Sequence, residues 1–372
     1  MSDQQHNALQ QELLMLVREA VAAYSPTYRE GPATAMFERA ARARGLSVTH
    51  QEVDAGRFNL ILSAGVDPPA VLFVGHVDTV AGSGQVRTSL DDGCLYGLGT
   101  CDMKGACVSM LLALASVRDE LARAGQGAAL ALVVGEEEYG DGVETLCREY
   151  AIPDLVIVGE PSSLRPCLSH AGYYEARLTS HGEKRHSAVS ESGVNAVRAI
   201  MEWTQNIIDQ ASAIEGLSVV PRRIEGGSNQ FVVPDSCEIV IDLHLPPQFA
   251  LTRVEALFER SRPDGYEPSR LRWSREYASE GYVIDPELKA VQSLKNAVES
   301  QGAAWNPAVF RSHSDASVLA KHARAAIVCG PGALEFAHSH NEHVPVEELV
   351  QSFYLYREIA REAAGLTRTT DA

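Results

Sequence analysis

VLFVGHVDTV, residues 71 to 80, is the stretch whose reading decides the fold. Its near-continuous hydrophobic run before Gly75 reads as a strand buried on both faces, the kind that lies inside a parallel sheet under helices. The run delivers His76 and Asp78 to its far end. In extended chain, positions two apart share a face, so the Asp78 carboxylate can reach the His76 ring. A metal-binding imidazole needs such a partner: one nitrogen holds the metal while the other donates to a group that fixes the ring. The segment also reads as a polar strand end with Asp78 capping the turn after it, and alone it leaves the two readings level.

Working outward, two more apolar runs end in the same way. AALALVVG (128–135) is followed at once by Glu136, Glu137 and Glu138, and DLVIVG (154–159) by Glu160 and Pro161. In open α/β sheets, sites lie outside the carboxyl ends of the strands, so these groups should converge on one crevice. Between the first two runs, a polar, glycine-rich loop from Ala81 to Thr100 leads to Asp102. This residue stands at a cap position before a helix through Met110, Leu111, Leu114 and Val117. Upstream, Leu9, Leu13, Leu16, Val17, Ala20, Val21 and Tyr24 recur at helical spacing. A second helix passes through Met36, Phe37 and Ala40, and strands fit 47–53 and 58–63.

From Ser169 the texture changes to α+β. YYEARLTSHGE alternates like a half-exposed strand, and 190–210 looks helical. SVVPRRIEGG and CEIVIDLHLPP read as strands, a helix lies near 250–260, and a further strand fits 270–277. AAIVCGPG (325–332) then returns to the buried style, and AHSHNEHVPVEELV leads into a closing helix. The expected fold is therefore α/β, with a mixed, largely parallel sheet in a catalytic domain spanning 1–168 and 280–372. An α+β domain is expected to be inserted at 169–279.

Composition narrows the function. Of 372 residues, 32 are Lys or Arg and 49 Asp or Glu, a formal charge of -17 that argues against nucleic acid and anionic membrane surfaces. Seven scattered cysteines without a C-x-x-C pair argue for reduced thiols rather than disulfides or a zinc ribbon. No basic leader or membrane-length run stands out, which gives the expectation of a soluble, cytoplasmic protein. Collected, the polar groups at strand ends and in the AHSHNEH loop are His76, Asp102, Glu136, Glu137, Glu160 and His338. Two imidazoles and three carboxylates suit a pair of divalent ions with one carboxylate bridging, which leaves one glutamate free as a base.

GHVDTV, LYGLGTCDMKG, VVGEEEYGDG, VGEPS, the HSA of KRHSAV, SDA (314–316) and CGPG with AHSHNEHVPVEEL occur in order between residues 71 and 349. Together they resemble the co-catalytic di-zinc amidohydrolases that include acetylornithine deacetylase, succinyl-diaminopimelate desuccinylase, aminoacylase and carboxypeptidase G. The resemblance implies two Zn²⁺, with Co²⁺ or Mn²⁺ able to substitute. His76 and Glu160 would hold one ion, Glu137 and His338 the other, and Asp102 would bridge them. Glu136 would be the general base, Asp78 the partner of His76, and His186 an oxyanion donor, in some relatives from a neighbouring subunit. A third glutamate leaves Glu137 and Glu138 as an alternative base and ligand pair; Glu136 and Glu137 keep the expected distance to Gly142.

On the substrate side the sequence departs from the resemblance. IDLHLPP carries His244 where many relatives have an arginine for the substrate carboxylate, and Arg222, Arg223 or Arg311 could substitute for it. Asn229 falls at a family asparagine position, and Ser314 lies in an altered loop, Ser312–Ala316. His313, His340 and His343 read as lining or surface, Asp141 and Glu347–Glu348 as solvated charges or caps. The implied activity is removal of an acyl group from an N-acylated amino acid. A metallo-carboxypeptidase or dipeptidase is the alternative, followed by release of an amino acid from an amino-group carrier protein. The implied partner is a small N-acyl amino acid or dipeptide, and the uncovered edge strands of the inserted domain suggest a homodimer.

Overall fold

The computed structural model describes residues 3–82, 87–192 and 194–366; part of the Ala81–Thr100 loop and both ends of the expected catalytic domain lie outside these. The fold is mixed α/β, and the chain forms two compact units. One comprises residues 1–168, 284–310 and 314–372, the other residues 169–283 and 311–313. Among the described residues no helix is long and apolar enough to cross a membrane.

In the first unit the sheet runs, edge to centre, Ser47–Asp54, Arg57–Gly65, Gly127–Val133, Leu72–His76, Leu155–Pro161 and Ala325–Gly330. The last four are mutually parallel, and the first two join antiparallel. Every residue of the four parallel strands is buried, which is why their sequences are apolar without alternation. The helix Lys104–Ala124 packs on this sheet and against Asp3–Ala22 and Val346–Ala363. Each fully buried leucine in that layer, such as Leu111 or Leu114, contributes roughly 1.5–3 kcal/mol of burial free energy.

Two glycines set how closely that helix approaches the strand ends. A Cβ on Gly75 would lie 2.6 Å from Cys107 Sγ, and one on Gly159 would lie 2.8 Å from Ala106 Cβ. Each glycine immediately precedes a candidate site residue, His76 or Glu160. A side chain at either position would push the helix off the sheet or the strand end out of line.

A three-stranded antiparallel ribbon of Ser89–Asp91, Cys94–Tyr96 and His343–Pro345 pairs the chain just past the AHSHNEH loop with the chain leading to Asp102. The helix after Asp102 begins at Lys104, with Met103 at the N-cap position and no side-chain cap. Asp102 is therefore not a helix cap, and its carboxylate is free to face the strand ends.

The second unit is a four-stranded antiparallel sheet in the order Ser218–Gly226, Ser236–Leu245, Gly172–His181, Leu271–Ser279. Alternate residues of Gly172–His181 are buried, as expected for a strand covered on one face. Tyr174, Ala176 and Leu178 from that strand and Ile239, Ile241 and Leu243 from its neighbour pack with Trp203 of Ala196–Ala211 and Phe258 of Leu251–Arg260. The edge strand Ser218–Gly226 is exposed along nearly all of its length.

Candidate metal centre

His76 ends its strand 1% exposed, with Nδ1 3.0 Å from the Asp78 carbonyl oxygen. A carbonyl only accepts, so Nδ1 carries a proton, which leaves Nε2 as the nitrogen turned toward the candidate ligands. Asp78 Oδ1 stands 3.7 Å from the same nitrogen, so the expected carboxylate is within ion-pair reach of the ring while the carbonyl makes the closer contact. The strand stops at His76, so residues 76 and 78 no longer share a face. The Asp78 carboxylate accepts from Thr27 Oγ1 at 2.8 Å and from the amides of Glu136 and Glu137 at 3.3 and 3.1 Å. It fastens the start of the glutamate run to the end of the neighbouring strand.

Asp102 reaches in two directions. Its Oδ1 is 3.0 Å from His76 Nε2 and its Oδ2 is 3.2 Å from His338 Nε2. His338 Nε2 is also 3.0 Å from Glu137 Oε2, and Glu160 Oε1 lies 3.5 Å from His76 Nε2. Glu136 Oε2 stands 4.0 Å from the same nitrogen. Two donor groups result, His76 with Asp102 and Glu137, and His76 with Glu136 and Glu160. Glu136 thus lies closer to the second group than a base set apart from every ligand would. Glu138 is exposed and belongs to neither group.

The electrostatics fit a cation centre. Burial, then the neighbouring carboxylates, push the carboxyls of Glu136, Glu137 and Glu160 above their ordinary range. Burial also opposes charge on Asp102, but hydrogen bonds from His338 and His76 hold it well below the usual carboxylate value. His338 is pushed up to about 11 by its hydrogen bonds to Asp102 and Glu137. Carboxylates at this density need compensating positive charge. Two donors on a tetrahedral ion with ligand distances of about 2.0–2.1 Å stand roughly 3.4 Å apart, close to the separations found here. All the donors are imidazole nitrogen or carboxylate oxygen, a set that suits zinc, cobalt or manganese. The nearby thiols are otherwise engaged: Cys107 Sγ faces the His76 carbonyl at 3.4 Å and Cys101 Sγ the Ala333 carbonyl at 3.5 Å. Burial pushes Cys107 up to about 12, so it stays a thiol.

Several supports escaped the sequence reading. Lys104 is buried, and its Nζ donates to the carbonyls of Ala20 and Ala23 at 2.9 and 3.0 Å, closing the end of the first helix. A lysine in the first turn of an apolar helix opposes the helix dipole, and that was the available signal. Asp141 is not a solvated charge: with Glu30 it clamps the buried Arg57 guanidinium. Glu348 accepts from the Gly332 amide at 2.7 Å. Asp315 is buried, which pushes its carboxyl up to about 7. Glu342 accepts from the Asp102 amide at 3.1 Å, behind the carboxylate that faces both imidazoles.

The remaining candidates are less gathered. Ser314 is fully buried, and its Oγ accepts from Ala316 N at 3.3 Å. His343 packs at a tilt against the rings of Phe336 and Tyr96. In the second unit, His186 is exposed, with Nδ1 accepting from Ala188 N at 3.1 Å, and Asn229 lies in an exposed turn. His244 packs beside Tyr173; burial lowers its pKa, and its buried Nδ1 has no hydrogen-bond partner among the described residues. His313 belongs to the same unit, its ring nitrogens 3.4 Å from Tyr277 Oη and 3.3 Å from Ser279 Oγ. Arg222 is taken up by Glu175 and Asp242 at 2.8 and 3.0 Å.

Residues 72–362 match the family described as peptidase family M20/M25/M40. An acetylornithine deacetylase of Edwardsiella ictaluri is 25% identical over 333 residues, 82% of this chain and 84% of the relative. Another, of Photorhabdus laumondii, is 24% identical over 314 residues, 78% of each. Among solved structures, a tripeptidase from Staphylococcus aureus matches with a TM-score of 0.82 at 19% identity, covering 95% of this chain and 98% of that one. At that identity the likeness is one of fold.

Proposed function

This chain belongs to peptidase family M20/M25/M40, and from that premise we propose that it is a metal-dependent hydrolase cleaving the amide bond of an N-acylated amino acid. The observation that carries the metal part is the Asp102 carboxylate, which offers one oxygen to His76 and the other to His338. That is the disposition a bridging ligand requires. The acyl-amino-acid part is supported by the two relatives named acetylornithine deacetylase.

In this reading His76 and Glu160 would hold one ion and Glu137 and His338 the other, with Asp102 facing both imidazoles. A bound pair of zinc ions, or cobalt or manganese in their place, would polarise the amide carbonyl and acidify a water molecule. Glu136 takes the proton from the attacking water and returns it to the leaving amine. Its burial raises its carboxyl above the ordinary range, the direction that makes it a stronger base. Asp78 acts through the backbone, keeping Glu136 and Glu137 in register, and His186 supplies a donor to the developing oxyanion. Asn229 and His244 are assigned to the substrate, and the inserted unit serves as lid and dimer surface. Ser314 stays with Asn229 and His244 in the substrate set, its hydroxyl also accepting from Ala316 N.

The test is hydrolysis of acetylated and succinylated amino acids, dipeptides and tripeptides by zinc- or cobalt-loaded protein. Cleavage of the acylated amino acids is the expected result. Cleavage of peptides alone would move the reading to a carboxypeptidase or dipeptidase, and cleavage of nothing in either class would overturn it.

A further inference from the structure

Glu342 lies four residues beyond His338 and is 3% exposed. Its Oε1 accepts from three backbone amides, Gly99 at 2.8 Å and Cys101 and Asp102 at 3.1 Å each. Its own carbonyl accepts from Gly97 N at 3.0 Å, and its amide donates to the Ser339 carbonyl at 3.2 Å. One residue thereby joins the segment that ends in Asp102 to the loop that carries His338. The other oxygen, Oε2, is buried and has no hydrogen-bond partner among the described residues. Here one oxygen is fully used and the other is tolerated.

His338 needs such an anchor. It lies outside the named helices and strands, its side chain is 50% exposed, and its backbone is left-handed with φ 58°. That conformation is unfavourable for a residue with a Cβ and persists only when the surroundings impose it. The ribbon strand His343–Pro345 secures the chain immediately past Glu342, and Glu342 itself secures the loop before it.

We propose that Glu342 is a positioning residue which, through Oε1 alone, holds His338 and Asp102 at the separation at which both serve one cation. The inference rests on the metal-dependent reading above. It distinguishes the position built from His338, Glu137 and Asp102 from the one built from His76 and Glu160.

The experiment is titration of the metal-free full chain with Co²⁺, following visible absorption and bound equivalents, for wild type and for Glu342→Ala, Glu342→Asp and Glu342→Gln. Wild type should bind two equivalents. Glu342→Ala should keep one and bind the second about 10- to 100-fold more weakly, the usual range for losing a group behind a ligand. Glu342→Asp, one methylene too short, should behave like Glu342→Ala. Glu342→Gln keeps an acceptor oxygen for the three amides and should bind both ions as wild type does, with the same spectrum.

Two equivalents at wild-type affinity in both the Ala and Asp variants would overturn the proposal, as would a Gln variant as weak as the Asp variant. Should Glu342→Ala fail to fold, the contrast between Asp and Gln still decides. A wild type that binds no cation would overturn the metal reading itself, a result distinct from two ions bound with indifferent variants.

Discussion

The two units present their candidate residues in opposite ways. In the first, His76, Glu136 and Glu160 follow buried parallel strands whose positions are fixed by continuous apolar packing. In the second, His186 and Asn229 are exposed, and His244 sits half-buried among aromatic rings. Groups on a rigid frame can be held to the tolerance that bond chemistry demands, whereas groups on exposed turns can vary with the ligand. On the proposed reading, the metal ligands and the base belong to the first unit, and the oxyanion donor and the substrate groups to the second. Substitutions in each unit can sharpen that division or break it.

The largest effect belongs to the centre of the cluster. Asp102→Asn removes the charge shared by the two imidazoles and should abolish turnover together with binding of at least one ion, as measured by metal analysis beside rate. Chelation of the wild type should do the same, and added zinc, cobalt or manganese should restore activity. An Asp102→Asn enzyme with normal rate would break the division at its strongest point.

Next is Glu136→Gln, which should bind both ions yet turn over roughly 10²- to 10⁴-fold more slowly, the usual contribution of a positioned acid–base group. Glu137→Gln should weaken one ion, and the exposed Glu138 should tolerate glutamine. If Glu137→Gln is inactive with two ions bound while Glu136→Gln is near normal, the base is Glu137.

These residues also mark how far the sequence could be read. Continuous apolar runs ending in His or Glu identify the parallel strands and the groups at their ends, because a strand buried on both faces leaves no other room for polar side chains. The closer partner of His76 Nδ1 was not legible, since it depends on the chain leaving extended geometry one residue after the ring. Glu342 reaches the Asp102 amide across 240 residues, and Thr27 reaches Asp78 across 51. No local pattern encodes such contacts. In the inserted unit the strands were legible from their alternation, but what His244 or Asn229 binds was not, because packing alone dictates neither.

A third prediction concerns stability rather than rate. His170 is buried, and burial lowers its imidazole from 6.5 to about 4. The folded state therefore resists a proton that the unfolded chain accepts. The stability it contributes is complete above pH 6.5 and is lost as pH falls from 6.5 through 4. The loss amounts to roughly 3 kcal/mol from a shift of this size. Urea unfolding across that window should show it, and His170→Gln should flatten the slope relative to wild type; an identical slope would remove His170 as the cause.

The smallest effect is expected on the substrate side. His244→Ala should raise KM about tenfold, worth roughly 1.4 kcal/mol of binding, with kcat little changed. An unchanged KM with a collapsed kcat would move His244 from substrate binding to the reacting centre and break the comparison at that residue.

The central claim, that one carboxylate serves two cations, is tested most directly by anomalous diffraction from zinc-loaded crystals of the full chain. The account predicts two peaks flanking Asp102, one against each carboxylate oxygen, with His76 and Glu160 beside one and His338 and Glu137 beside the other. A single peak, or a pair that leaves Asp102 touching only one ion, would contradict it.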